Sequence, residues 1–157
     1  MSTTVLRPEF RELDRAAMDA LLARNHVGRL AYGRENRIDV EPVHYVYADG
    51  WVYGRTSHGA KLAMVAENWY GWSPVAFEVD EVEDVFRWRS VVVHGGFYLI
   101  RPEENAPDRE VAGRAVELLR TLVPETLTAA DPVPFRDVLF RIAAQEVTGR
   151  EAILPAG

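Results

Sequence analysis

Between residues 27 and 56, and again between residues 73 and 100, apolar and polar side chains alternate with a period of two. "VGRLAYG", "RIDVEPVHYVYA" and "WVYGRT" are rich in β-branched and aromatic residues, and they are separated by "RENR" and by the hairpin signal Asp49-Gly50. Three antiparallel strands are expected. In the second of them the apolar parity changes from even (Ile38, Val40) to odd (Val43, Tyr45, Tyr47), with Pro42 at the change, which predicts a bulge or an edge position there. "SPVAFEVDEV" puts Val75, Phe77 and Val79 on one face. "FRWRSVVVHGGFYLI" is apolar on both: Trp88, Val92, Tyr98 and Ile100 on one side, Val91, Val93, Phe97 and Leu99 on the other. Such a strand needs a cover for each face.

A helical period appears on either side of this block and once within it. "ELDRAAMDALLAR" sets Leu13, Ala17 and Leu21 behind Asp14 as N-cap, with Leu13 and Met18 placed for a hydrophobic staple. "KLAMVAEN" reads as a short helix, and "DREVAGRAVELLRTLVP" as an amphipathic one with Val111, Ala115, Leu118 and Leu122 inward and Pro124 at its end. "PETLTAADPVP" is a loop, and "FRDVLFRIAAQEVTGREAIL" returns as one long strand. About six strands in hairpin succession and two or three helices make a mainly β, α+β chain: a small antiparallel barrel with peripheral helices.

At 157 residues, with 48% hydrophobic and 27% charged residues, the chain reads as one folded domain over 1–157. Without cysteine there are no disulfides, thiolate nucleophiles or cysteine metal sites, and with no apolar run near the ~18 residues of a membrane span a cytoplasmic location is expected. Eighteen basic residues scattered among 24 acidic ones, for a net charge of −6, argue against a nucleic-acid surface.

The stretch with the clearest chemical character is "YGRTSHGAK", residues 53 to 61. Its outline approaches a nucleotide-binding P-loop, but Ala60 separates glycine from lysine, Leu62 stands where a hydroxyl should reach magnesium, and no βαβ unit surrounds it. Nucleoside triphosphate hydrolysis is therefore rejected. Anion binding is not: Arg55, Thr56, Ser57 and Lys61 span a strand end, a glycine turn and a helix start, where main-chain N–H groups and cations favour a phosphate. A polar turn with a helix N-cap is the simpler alternative.

Taken in order, "GRLA", "PVHYVY", the Thr-x4-Lys turn, "WRSVVVHG" and "TGREA" resemble the split-barrel, flavin-binding family of pyridoxamine 5′-phosphate oxidase-like proteins, and within it the branch of the nitroimidazole-resistance proteins. The likeness runs over residues 5 to 154. It implies a six-stranded antiparallel split barrel and a homodimer holding two FMN molecules between subunits, which would supply the second cover for the strand at Val91 to Leu99. By the same resemblance Thr56, Ser57, Gly59 and Lys61 match the flavin-phosphate turn, with Arg55 as an added cation. Val43, His44 and Tyr45 match the strand along the isoalloxazine ring, and Ser90 matches a position near the flavin. The chain departs from the authentic oxidase at its end, "TGREAILPAG", which offers only Arg150 where that enzyme has a Trp- and Arg-bearing grip on pyridoxal phosphate. Oxidation of vitamin B6 is not expected.

Other chemistry finds little support. His26, His44, His58 and His94 form no metal-binding spacing, and no serine sits in a nucleophile elbow. His58 could add charge beside a phosphate and His44 could donate to a flavin or substrate oxygen. Trp69, Tyr70 and Trp72 follow the phosphate turn, where they pack or line a substrate mouth. No residue stands out as catalytic, as expected where a cofactor carries the redox chemistry to a small-molecule substrate. Two alternatives keep the barrel: a flavin- or haem-binding module without turnover, and a reductase using a deazaflavin cofactor.

Overall fold

A computed structural model describes residues 5–59 and 72–155. The expected helix at "KLAMVAEN", Lys61, Trp69 and Tyr70 lie outside the described residues. The elements run β1 (Glu9–Glu12), α1 (Arg15–Arg24), β2 (Val27–Arg34), β3 (Arg37–Ala48), β4 (Trp51–Thr56), β5 (Trp72–Asp84), β6 (Arg87–Leu99), α2 (Asp108–Leu119), β7 (Val138–Ala143) and β8 (Glu146–Ile153).

Strand order is β1-β8-β6-β5-β2-β3-β4-β7, and a further pairing of β7 with β6 closes β6, β5, β2, β3, β4 and β7 into a six-stranded antiparallel barrel. The split-barrel expectation holds. The interior is filled by the alternating residues read from the sequence: Tyr45, Phe77, Val79, Val91, Val93, Phe97, Phe140 and Ile142 are fully buried, each contributing about 1.5–3 kcal/mol for the larger side chains. Leu21 and Leu22 of α1 join this core, and Asp14 caps the helix by accepting from the Ala17 N–H at 2.8 Å. Leu13 and Met18, the staple pair, both approach Gly149 on β8. A second cluster lies outside the barrel, where Ala115 and Leu119 of α2 cover Val46, Tyr53 and Leu139.

One detail decides between two expected placements, and two others differ from the expectation. The β2–β3 register is continuous from Val27↔His44 to Arg34↔Arg37, so there is no bulge at Pro42. Of the two expected placements Pro42 takes the edge, since β3 pairs with β4 only over Tyr45–Ala48. Ile38 and Val40 break parity because they point outward, where they remain 78% and 64% exposed. Secondly, the last long strand is two. Beside β6 its register slips by one residue between Phe97↔Ile142 and His94↔Glu146, which frees β7 to pair with β4 while β8 continues along β6 and receives β1. The slip requires Gly95: a Cβ there would stand 1.7 Å from the Ala143 carbonyl oxygen. Thirdly, β1 was not anticipated, which with the division of the last strand brings the described strands to eight.

Of the two apolar faces of β6, the inner one is core and the outer one is half-buried at Trp88, Val92 and Tyr98, with no helix across it among the described residues.

Candidate functional site

The strand pair β3–β4 opens at one end. Ladder pairing stops at Tyr45↔Gly54, and beyond it Val43 and His44 on one side and Arg55 and Thr56 on the other have no partner across the gap. Arg55 and Thr56 are held from behind by β7, opposite Leu139 and Val138. At the point of divergence the Phe140 ring lies against Gly54, so close that a Cβ there would be 2.4 Å from Cζ. The glycine lets the ring fill the barrel while β4 turns away.

Side-chain direction sorts the expected site residues. Val43 and Tyr45 point into the core. The Tyr45 hydroxyl donates to the Leu22 carbonyl at 2.7 Å, and burial pushes its pKa far above the usual value for tyrosine. Its main chain is also engaged, the N–H donating to the His26 carbonyl at 3.0 Å. His44 points the other way, into the gap. Its Nε2 is buried without a hydrogen-bond partner, and burial together with the nearby Arg55 and Arg136 charges lowers its pKa, opposed by Asp131.

Arg55 is not a free cation. Its side chain is wholly buried, and Nη1 and Nη2 donate to the two carboxylate oxygens of Asp131 at 2.5 and 3.1 Å. Asp131 also accepts from the Leu127 and Val133 N–H groups at 2.8 and 3.0 Å. Four donors, Arg55 foremost, hold its carboxyl well below the usual range. The pair ties the end of β4 to the segment after α2, where Leu127 takes φ 54°. Arg55 Nε remains buried and unpartnered. Asp131 and Arg136 are neighbours of this group that the sequence did not reveal, because Asp131 is one of two carboxylates, with Glu125, in a loop read as a connector.

Past Arg55 the chain emerges. Thr56 is buried, Ser57 half-buried, and His58 and Gly59 exposed, with open space where a Gly59 Cβ would stand. The Ser57 hydroxyl has no partner among the described residues, and His58 Nε2 lies 3.7 Å from Asp137. Ser90 is elsewhere. It sits on the outer face of β6, three strands from β3, and its Oγ donates to Glu78 at 2.9 Å. His44, Arg55, Thr56 and Ser57 are thus brought together, while Ser90 is not part of that group within one chain. A separate concavity of about 680 Å³, between the β5–β6 hairpin and the end of β8, has its main charges paired, Arg24 with Glu81 and Arg89 with Glu151.

The closed six-strand circuit is the fold that the resemblance implied, and the comparison with known families agrees: the model described as pyridoxamine 5′-phosphate oxidase matches residues 14–151. The chain belongs to that family. A FAD-binding protein from Mesorhizobium loti is 27% identical with a TM-score of 0.70, over 90% of this chain and 97% of that one. Two more distant structures share the fold. A candidate 5-nitroimidazole antibiotic resistance protein from Bacteroides thetaiotaomicron is 16% identical with a TM-score of 0.67, over 98% and 96% of the two chains. A FAD and heme binding protein from Mycobacterium smegmatis is 19% identical with a TM-score of 0.66, over 92% and 74%. Comparison with curated proteins gives no match.

Two orphaned buried atoms, His44 Nε2 and Arg55 Nε, and the Ser57 hydroxyl, without a partner among the described residues, are what a phosphate-bearing ligand at this turn would satisfy, so these residues fit a flavin phosphate.

Proposed function

We propose that the chain is an FMN-binding oxidoreductase that passes electrons to a small organic substrate, working as a homodimer in the cytoplasm. The observation that carries this reading is the gap between β3 and β4, with unsatisfied polar atoms inside it and the Thr56–Gly59 turn at its mouth. In this family member the turn would hold the phosphate through Thr56, Ser57 and Lys61. Arg55 takes a positioning role, fixing the turn through Asp131 and lending the field of a cation whose charge is largely answered. The isoalloxazine, when bound, would supply reversible one- and two-electron transfer. His44 faces the gap, while the Tyr45 N–H is already engaged by His26; the ring therefore depends on His44 and on the open edge of β3 more than on Tyr45.

The dimer is favoured by the outer sheet face. On β2 and β3 Val27, Ile38 and Val40 are 56%, 78% and 64% exposed, and on β6, two and three strands away round the barrel, Val92, Tyr98 and Trp88 are half-buried. Exposed and half-exposed apolar side chains on the outside of a barrel suit burial against a second copy. A second copy there could also bring its Ser90 towards the first copy's gap. The FAD-binding relative keeps FAD open as the flavin. Haem or a deazaflavin, without turnover or with it, would use the same barrel.

Titration of FMN into the purified chain, followed by quenching of flavin fluorescence, tests the reading. Lys61→Ala should weaken binding by about 1.5–3 kcal/mol, a ten- to hundredfold rise in Kd. An unchanged Kd for Lys61→Ala and Ser57→Ala together refutes the phosphate assignment, and a Soret band in place of flavin absorbance favours the haem alternative.

A further inference from the structure

Among the buried polar groups of the gap, His44 is the one that can change its charge near neutral pH. Its Nε2 has neither a donor filling its lone pair nor an acceptor for a hydrogen, so no hydrogen bond fixes its protonation state and the surrounding field decides it. The charged groups acting on it come from two directions: Arg55 from β4, and Arg136 and Asp131 from the segment that precedes β7. Across β2 its register partner is Val27, which carries no charge. Asp131 is consumed by four hydrogen bonds, two of them from Arg55. Burial first, and then two cations against one anion, disfavour the charged imidazole in the empty gap. An oxyanion at the adjoining Thr56–Gly59 turn would reverse that field.

We infer that His44 takes up a proton when a phosphate-bearing ligand settles at the turn, so that ligand binding and proton binding are one coupled event. The inference rests on the flavin-phosphate reading and adds to it a residue and a pH dependence. The step is a proton transfer from solvent to Nε2, with no other bond made or broken. It requires charge proximity, and direct contact between His44 and the phosphate is not needed. The Arg55 Nε–H, which can only donate, adds to the same preference for an acceptor oxygen. Proton uptake with the ligand keeps a third cation out of the empty gap and supplies it when the anion is present.

The test compares FMN with riboflavin, which lacks the phosphate, on the full chain at pH 8 and pH 6, in wild type and in His44→Asn. The wild type should gain about tenfold more FMN affinity than His44→Asn on going from pH 8 to pH 6. The phosphate's own titration near pH 6 contributes to both proteins and cancels in the comparison. Riboflavin should show no such difference. Equal pH dependence of FMN binding in the two proteins overturns the coupling while leaving the flavin reading intact, and so does a riboflavin difference of the same size. If FMN binds to neither protein, the flavin reading fails and the inference with it. Should His44→Asn not fold, imidazole NMR of the wild type decides: the His44 pKa should rise on adding FMN, with the exposed His26, His58 and His94 assigned by their Asn variants, and an unmoved His44 resonance refutes the proposal.

Discussion

Replacing Glu81 by Gln removes one charge from the joint that sets α1 against the barrel, and its effect can be worked out from the contacts. Arg24 Nε and Nη2 donate to the two carboxylate oxygens at 2.9 and 2.6 Å, and Asn25 Nδ2 donates to the same carboxylate at 2.8 Å. Led by the Arg24 hydrogen bonds, these donors lower the Glu81 pKa from 4.5 to about 2. A carboxyl titrating so low when folded and near 4.5 when unfolded is linked to at most about 3.4 kcal/mol. The side chains of Arg24 and Glu81 keep 45% and 34% of their surface exposed, so screening and side-chain freedom reduce the expected contribution to about 1 kcal/mol. Because the folded pKa is depressed, this stability is present above pH 4.5 and is lost as pH falls towards 2. Urea unfolding, followed by tryptophan fluorescence at one fixed protein concentration from pH 7 to pH 3, should show Glu81→Gln about 1 kcal/mol less stable at pH 7. More than half of that difference should have disappeared by pH 3, because the unfolded chain's carboxyl has by then taken up its proton while the folded one is still largely ionised. A difference that stays constant over the whole range would show that Glu81 acts by packing and that the charge reasoning is wrong. The joint matters for the site because Asn25 leads directly into His26, whose carbonyl accepts the Tyr45 N–H next to His44.

Further outcomes follow from the same geometry. Arg55→Ala should lower the unfolding midpoint several times more than Arg89→Ala, since the first strips a buried carboxylate of its counter-ion and the second removes an exposed pair worth under about 1 kcal/mol; similar midpoints would contradict the anchoring role. Gly95→Ala drives a methyl into the Ala143 carbonyl and should cost about 3 kcal/mol or prevent folding, whereas Gly113→Ala, with open space around it inside α2, should gain about 0.5–1 kcal/mol, both read by urea unfolding. Tyr45→Phe leaves the Leu22 carbonyl without its donor and should cost about 1–2 kcal/mol at pH 7, detectable in the same unfolding assay.

What the sequence made legible was local. Strands β2, β4 and β5 and helix α1 follow from period and capping, because each depends on neighbours within a few positions, and the barrel follows from their hairpin succession. The single long strand at the C-terminus was misread because the break is imposed from outside: Gly95 on β6 sets the slip at Ala143–Gln145, and nothing within "FRIAAQEV" marks it. Ile38 and Val40 left a bulge and an edge both open, and the structure takes the edge. Apolar residues at the wrong parity look like a bulge when every apolar residue is assumed to face one core, and here they belong to a second surface on the outside of the sheet.

The same distinction governs the candidate site. Arg55 and Ser57 stand two residues apart in one polar turn, and residue type alone gives both to a phosphate. Their difference lies in what has already been used. Asp131, 76 residues further on, takes two of Arg55's donor nitrogens, while the Ser57 hydroxyl keeps its capacity among the described residues. A sequence lists donors and acceptors without showing which are spent, and for a long-range pair the loop that brings the partner back decides it. On the proposed reading the gap between β3 and β4 would gain its specificity from that remainder: one Nε–H of Arg55 and one nitrogen of His44 are left over, with the hydroxyl of Ser57 beside them among the described residues, and a ligand would be recognised by how well it completes them.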